Sequence, residues 1–191
     1  MPKDNIERAI ARGAGTEGAG ESYEHVGYEG YGPGGVAVYV EALTDNRNRT
    51  ASEVRHVFAK ADGSLGESGS VAWLFERTGV VLVDAASADE DSVTLAAADG
   101  GADDVVADDA SYQITCVPEA LAAVRGALEA AGIAIESTAI AMQPKTTVEV
   151  ADETAARKLL RLIESLEDLD DVQDVYANFD IPEQILEAVA S

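Results

Sequence analysis

Between residues 36 and 77 the spacing of apolar side chains changes period twice, and this constrains the fold more than any other feature. VAVYVEAL (36–43) is β-branched and alternates, as a half-buried strand does. Val54, Val57, Phe58 and Ala61 then recur at helical spacing behind a Thr50–Glu53 capping box, and Gly63 closes the run. VAWLFER (71–77) returns to strand period, with Val71, Trp73 and Phe75 on one face. The unit is β-α-β.

The theme recurs downstream. DVVADD and SYQITCV flank a turn and read as short strands. Pro118 opens a helix carrying Leu121, Val124, Leu128 and Ala131, which Gly132 stops. A strand around STAIAMQ follows, then TTVEV (146–150). Asp152 caps a helix with Ala156, Leu159, Ile163 and Leu166 inward. VQDVYANF (172–179) is a closing strand and PEQILEAVA a terminal helix. At the front, Asp4 and Glu7 cap a short helix with Ile6, Ala9 and Ile10, while residues 13–35 read as linker and turns. Short strands joined by single helices predict an α+β fold, helices on one face of an antiparallel sheet. A ferredoxin-like unit could use 36–77 and 146–179 as its halves, with 80–140 inserted. Pattern alone equally allows two consecutive domains split near residue 85.

The 191 residues carry 36 acidic against 13 basic side chains, a net charge of −23, with 47% hydrophobic content. That content supports a packed core, so the charge does not signal disorder. Self-repulsion on this scale destabilises a compact state at low salt. The carboxylates are spread along the chain rather than gathered in a tail, which favours adaptation to a salt-rich cytoplasm over an acidic decoy for basic partners. No apolar run reaches the ~18–20 residues of a membrane span. MPKDNIERAI lacks the apolar stretch of a secretory signal. Cys116 is the single cysteine, so an intrachain disulfide and a four-cysteine zinc site are excluded. The expected setting is cytoplasmic, with no membrane partner.

Catalytic groups are sparse. GYGPGG matches G-x-G-x-x-G at Gly30, Gly32 and Gly35, yet it precedes a strand, and Pro33 removes a backbone donor. It reads as a structural turn. His25, His56 and Cys116 sit in unrelated elements; Cys116 is placed in a core and His56 on the polar face of its helix. The pairs Asp103–Asp104 and Asp108–Asp109 lack calcium-loop spacing. No enzyme, cofactor or metal is expected.

The basic stretch differs. Arg47 and Arg49, beside Asn46 and Asn48, fall between a strand and a helix, with Arg55 one turn into that helix and Lys60 near its end. Arg55 and Lys60 project from opposite flanks, whereas Arg47, Arg49 and Arg55 make one candidate phosphate patch. The competing reading is local pairing with Asp45, Glu53 and Asp62, or Lys60 complementing the helix C-terminus.

Residues 28–77 as a block resemble the YebC family, which includes the mitochondrial translational activator of cytochrome c oxidase. MPKDNIERAI, the DDVV at 103–106 and LLRLIESLEDLDDVQDVYANFDI (159–181) are similar to further family blocks in the same order. The resemblance implies three domains: a helical first, a ferredoxin-like second, and a third inserted into the second. On that basis residues 1–20 are a remnant of the first, and 21–80 with 141–181 form the second. Residues 81–140 are then the insert, and 182–191 a terminal helix. Family members carry a basic segment and further helices ahead of the MPKDNIERAI block, so most of the first domain is expected to be absent and residues 1–13 to dock loosely.

The resemblance also implies a non-enzymatic regulator of transcription or translation. Its partners would be DNA, rRNA or tRNA, or the ribosome, which other members help through difficult sequences such as proline runs. Asn46, Arg47, Asn48, Arg49, Arg55 and Lys60 are the expected contacts, with the Gly32–Pro33–Gly34–Gly35 loop near the partner. The alternative is a protein-assembly module without nucleic-acid contact; oligomeric state is left open.

If the dispersed carboxylates are a salt adaptation, the thermal midpoint should climb steeply from ~0.1 M to molar KCl, as the Debye length shrinks from ~10 to ~3 Å. A scanning-fluorimetry series with a flat midpoint across that range would eliminate the adaptation.

Overall fold

Residues 24–31, expected in a linker, instead form the first strand. The structure, a computed structural model, describes residues 22–107 and 110–190. The expected helix over 1–13 and the Asp108–Asp109 pair lie outside the described residues. Strand β1 (Glu24–Tyr31) pairs antiparallel with β2 (Ala37–Thr44), from Glu24 opposite Thr44 to Tyr31 opposite Ala37. Glycine weakens a strand unless something approaches its backbone closely. At Gly30 something does: a Cβ there would lie 2.7 Å from the Phe58 ring and 2.6 Å from the Ser64 carbonyl oxygen. The glycines that read as loop therefore include a contact requirement of the core.

Helix α1 (Arg47–Lys60) begins before the expected Thr50–Glu53 box. Asn46 is its cap, extended at φ −145°, and its side-chain oxygen accepts the Arg49 N–H at 3.1 Å. Arg47, Asn48 and Arg49 thus lie in the first helical turn rather than in a loop. Strand β3 (Ser64–Leu65) then pairs with the far end of β1.

The expected strand at 71–77 is a correction. Buried Glu29 accepts the backbone N–H groups of Gly69, Val71 and Ala72 at 2.6, 2.7 and 2.7 Å. With those donors taken from any ladder, residues 72–74 form a 3-10 turn. Trp73 leaves the face it was expected to share with Val71 and Phe75; it is 66% exposed, and its ring N–H donates to the Ser70 carbonyl.

Strand β4 (Phe75–Asp84) leads into a second sheet. It is followed by α2 (Glu90–Gly100), β5 (Asp104–Ala107), β6 (Ser111–Cys116), α3 (Leu121–Ala130) and β7 (Ile135–Pro144). The antiparallel order is β5-β6-β4-β7. Helix α2 was not anticipated, because its buried side chains, Val93, Ala96 and Ala97, make a weak apolar stripe. Its ends were legible: Asp89 accepts the Ser92 N–H, and Gly101 closes it at φ +90°. Val81, Val83, Ile114, Val124 and Leu128 fill the core beneath α2 and α3. Cys116 lies in that core as expected, and burial pushes its thiol up, away from reactivity.

The chain returns through β8 (Val148–Glu149), α4 (Glu153–Glu167), β9 (Val172–Ala177), β10 (Phe179–Asp180) and α5 (Glu183–Ala190). Strand β9 joins the first sheet, giving the order β3-β1-β2-β9, and β8 pairs in parallel with β10. Val38 and Val40 of β2, Val54 and Phe58 of α1, and Leu159, Leu162 and Leu166 of α4 form its core. A third cluster, Ala37, Val71 and Phe75 with Tyr39, Met142 and Tyr176, joins the two sheets. Buried Asn178 brackets it: its side-chain oxygen takes the Ala37 N–H at 2.7 Å, and its carbonyl takes that of Val148. The class is α+β, as the period changes indicate. Among the described residues no helix is long and apolar enough to cross a membrane.

Burial pushes the Glu29 carboxyl up, but its three backbone donors outweigh that and leave it below the usual range. Its stabilising contribution is therefore complete above the unfolded value of about 4.3 and is lost as pH falls through the lower folded value. Glu29→Gln should lower stability at pH 7 by roughly 1–3 kcal/mol and flatten part of the acid limb below pH ~4.5. Urea titrations from pH 3 to 7 measure both; an unchanged acid limb would deny Glu29 this role.

Candidate nucleic-acid interface

The turn from β2 into α1 is organised by a residue 121 positions beyond Thr50. The Thr44 hydroxyl accepts the Asn46 N–H at 2.9 Å and donates to Asp171 Oδ2 at 3.0 Å. The buried Thr50 hydroxyl reaches the same oxygen at 2.7 Å. Arg49 completes the set, its guanidinium 2.8 Å from Asp171 and 2.7 Å from Asp45. Burial alone would raise the Asp171 carboxyl, yet Arg49, Thr50 and Thr44 hold it below the usual range. Hydrogen bonds to Asp171 and then Asp45 push Arg49 further up, so it stays a cation.

The expected patch of Arg47, Arg49 and Arg55 is divided. Arg49 faces the carboxylates at the end of α4, in a cleft of about 420 Å³ that includes Glu53, Asp168 and Asp170. Asn46, Arg47 and Asn48 line a separate cleft of about 650 Å³ against β1, with Glu24 and Tyr28. The Arg47 guanidinium stands 3.7 Å from Glu24, both exposed, a weak pair. Arg55, by helical spacing, stands on the flank away from α4, and among the described residues it has no ion-pair partner. The local-pairing reading thus holds for Arg49 with Asp45, and not for Arg55.

Lys60 has different neighbours. It borders a cleft of about 570 Å³ between α1 and α4, together with His56, Lys158 and Arg161. The two helices run antiparallel: Arg49 at the start of α1 meets Asp171 beyond α4, and Lys158 early in α4 meets Asp62 beyond α1. Lys158 and Arg161 were not anticipated, although RKLLRL (157–162) places three cations within one and a half helical turns.

The glycine loop lies elsewhere. Tyr31 pairs with Ala37 at one end of the β1–β2 hairpin and Glu24 with Thr44 at the other. The loop and the start of α1 are thereby separated by roughly 25 Å of strand. Gly32 packs on α4, where a Cβ would lie 2.9 Å from Leu162 and 3.1 Å from Leu159. Pro33 opens the short turn that Gly34 and Gly35 complete at φ +76° and +75°.

Residues 23–179 match the family model for the second and third domain of TACO1/YebC. The chain belongs to the TACO1/YebC family. A protein of Desulfotalea psychrophila, named a probable transcriptional regulatory protein, is 56% identical over 190 residues, covering 100% of this chain and 76% of that protein. A relative of the same name in Rubrobacter xylanophilus is 54% identical over 190 residues, with the same coverage. The crystal structure of a conserved hypothetical protein from Aquifex aeolicus matches with a TM-score of 0.82 at 53% identity, covering 97% of this chain and 76% of that one. The range shared with TACO1/YebC runs from β1 to β10 and so contains both helices of the α1–α4 pair.

The Asp171 network predicts an asymmetry. Asp171→Asn should cost roughly 1–3 kcal/mol, because two buried hydroxyls and a cation lose one charged acceptor. Arg49→Ala should cost less, since Thr44 and Thr50 still satisfy the carboxylate. Chemical denaturation of both variants tests this; equal losses would place the stabilisation in the ion pair instead.

Proposed function

We propose that this protein is a non-enzymatic regulator of gene expression that acts in the cytoplasm by binding nucleic acid, as DNA or as RNA on the ribosome. The observation that carries the reading is identity above 50% along the whole chain to relatives named as probable transcriptional regulatory proteins. The charge distribution supports it physically. Of the ten Lys and Arg among the described residues, seven lie on α1 and α4: Arg47, Arg49, Arg55, Lys60, Arg157, Lys158 and Arg161. One helical layer therefore concentrates positive charge in a protein of net charge −23.

Asn46, Arg47, Asn48, Arg55 and Lys60 are the proposed contacts, with Arg49 holding the turn in place. The glycine loop (Gly32, Pro33, Gly34, Gly35) supports α4 and acts on a partner through that helix. In molar salt the long-range repulsion of the carboxylates extends only ~3 Å, so local arginine–phosphate bonds can form. The same salt weakens counterion release, which keeps affinity modest. The two hydrophobic cores correspond, in this proposal, to a discontinuous domain of residues 21–80 and 141–181 and an insert of 81–140.

Co-sedimentation with ribosomes, and gel shift with RNA and duplex DNA in high-potassium buffer, test the function. Nuclease-sensitive association is expected, weakened roughly tenfold by Arg47→Ala with Arg55→Ala. Failure to associate with any of the three would leave the assembly-module alternative.

A further inference from the structure

We infer that the cleft between α1 and α4 is a binding groove for the sugar–phosphate backbone of a single nucleic-acid strand. This rests on the nucleic-acid reading above and extends it from Lys60, one of the proposed contacts, onto α4. Lys60 of α1 and Arg161 of α4 face the same cleft of about 570 Å³. Neither has an ion-pair partner among the described residues, although carboxylates outnumber cations 36 to 13 in the chain. In so acidic a protein, two unneutralised cations converging on one concave surface are matched by an external anion. His56 adds a ring N–H donor on the same rim.

The lining of the cleft suits a strand rather than a free ion. Val57 and Ala61, both half-buried, contribute apolar surface beside the cations, which suits a sugar face. Its walls are set mainly by the core that α1 and α4 share, with Arg49 and Asp171 bridging one end of the seam and the exposed Lys158–Asp62 pair adding little at the other. Glu164 on the rim, and the acidic cleft around Asp168 and Asp170 further along the seam, bound the cationic stretch. The groove therefore holds a short run of about two phosphates, one for each free cation. An arginine fork and a lysine point charge read phosphate without reading bases, so the contact is independent of sequence.

The test uses the full chain with fluorescently labelled single-stranded RNA and single-stranded DNA of one sequence, titrated from 0.1 to 1 M KCl. The parent is compared with Lys60→Gln/Arg161→Gln and with Arg125→Gln/Lys145→Gln, which removes the same charge elsewhere. The groove variant should bind roughly tenfold more weakly and show a salt slope smaller by about 1.4, the value for two lost phosphate contacts on a single strand. The control should match the parent, and circular dichroism should match in all three. A parent that binds neither strand overturns the groove, whereas the nucleic-acid reading falls only if duplex DNA and ribosomes also fail to bind. A groove variant that binds and titrates like the control overturns the groove alone. Polyglutamate displacing the strand at equal charge concentration would assign the groove to an acidic peptide and overturn the proposal.

Discussion

Two helices lie on the β1–β2 hairpin, and their approach leaves no room for a side chain on Gly30 and little on Gly32. Phe58 from α1 occupies the space above Gly30, and Leu159 and Leu162 from α4 occupy that above Gly32. Phe58, Leu159 and Leu162 are among the largest fully buried members of the first core, so their seating helps decide where both helices sit. Everything assigned to the α1–α4 layer follows from that seating, including the seam between the helices and the cations along it. A methyl group on Gly30 would push the Ser64 backbone and the Phe58 ring away, whereas one on Gly32 would displace only the ends of Leu159 and Leu162.

Two carboxylates carry a second kind of constraint. Glu29 gathers the backbone donors of the 69–72 segment, and Asp171 gathers two threonine hydroxyls and an arginine. Each is buried or nearly so, each stays ionised because its partners outweigh burial, and each joins segments far apart in the chain. They differ from the dispersed surface carboxylates, whose effect is through the summed field and depends on salt. One residue type thus serves a local, salt-insensitive role and a global, salt-sensitive one.

Pairing decides which cations are available to a partner. Arg49 and Lys158 bridge the ends of the helix pair, and Arg125 and Arg157 answer glutamates one turn away on their own helices. The cations left without such partners on the α1–α4 layer, Arg55, Lys60 and Arg161, are exposed, and two of the three share a cleft. The arrangement explains how an acidic protein can present a confined positive surface: the neutralised cations build the frame and the unpaired ones occupy it.

The sequence by itself determined the α+β class, the helices over α1, α3 and α4, the burial of Cys116 and the turn at Pro33–Gly35, since each depends on local period, caps and turn residues, though not the strand that Gly30 and Tyr31 join. Asn46 and Asp89 were legible as caps too, and were missed where a stronger-looking box or a weak apolar stripe competed. Tertiary structure alone decided that glycine-bearing β1 is a strand, that Trp73 leaves the sheet, and that Arg49 faces Asp171 while Arg55 faces away. It also decided that Lys60, already set apart from Arg55 by helical angle, shares a cleft with Arg161. The reason is range. A cap or an apolar stripe is written within four residues, whereas these contacts join residues up to 122 positions apart, and no local pattern encodes which distant carboxylate will neutralise a given arginine.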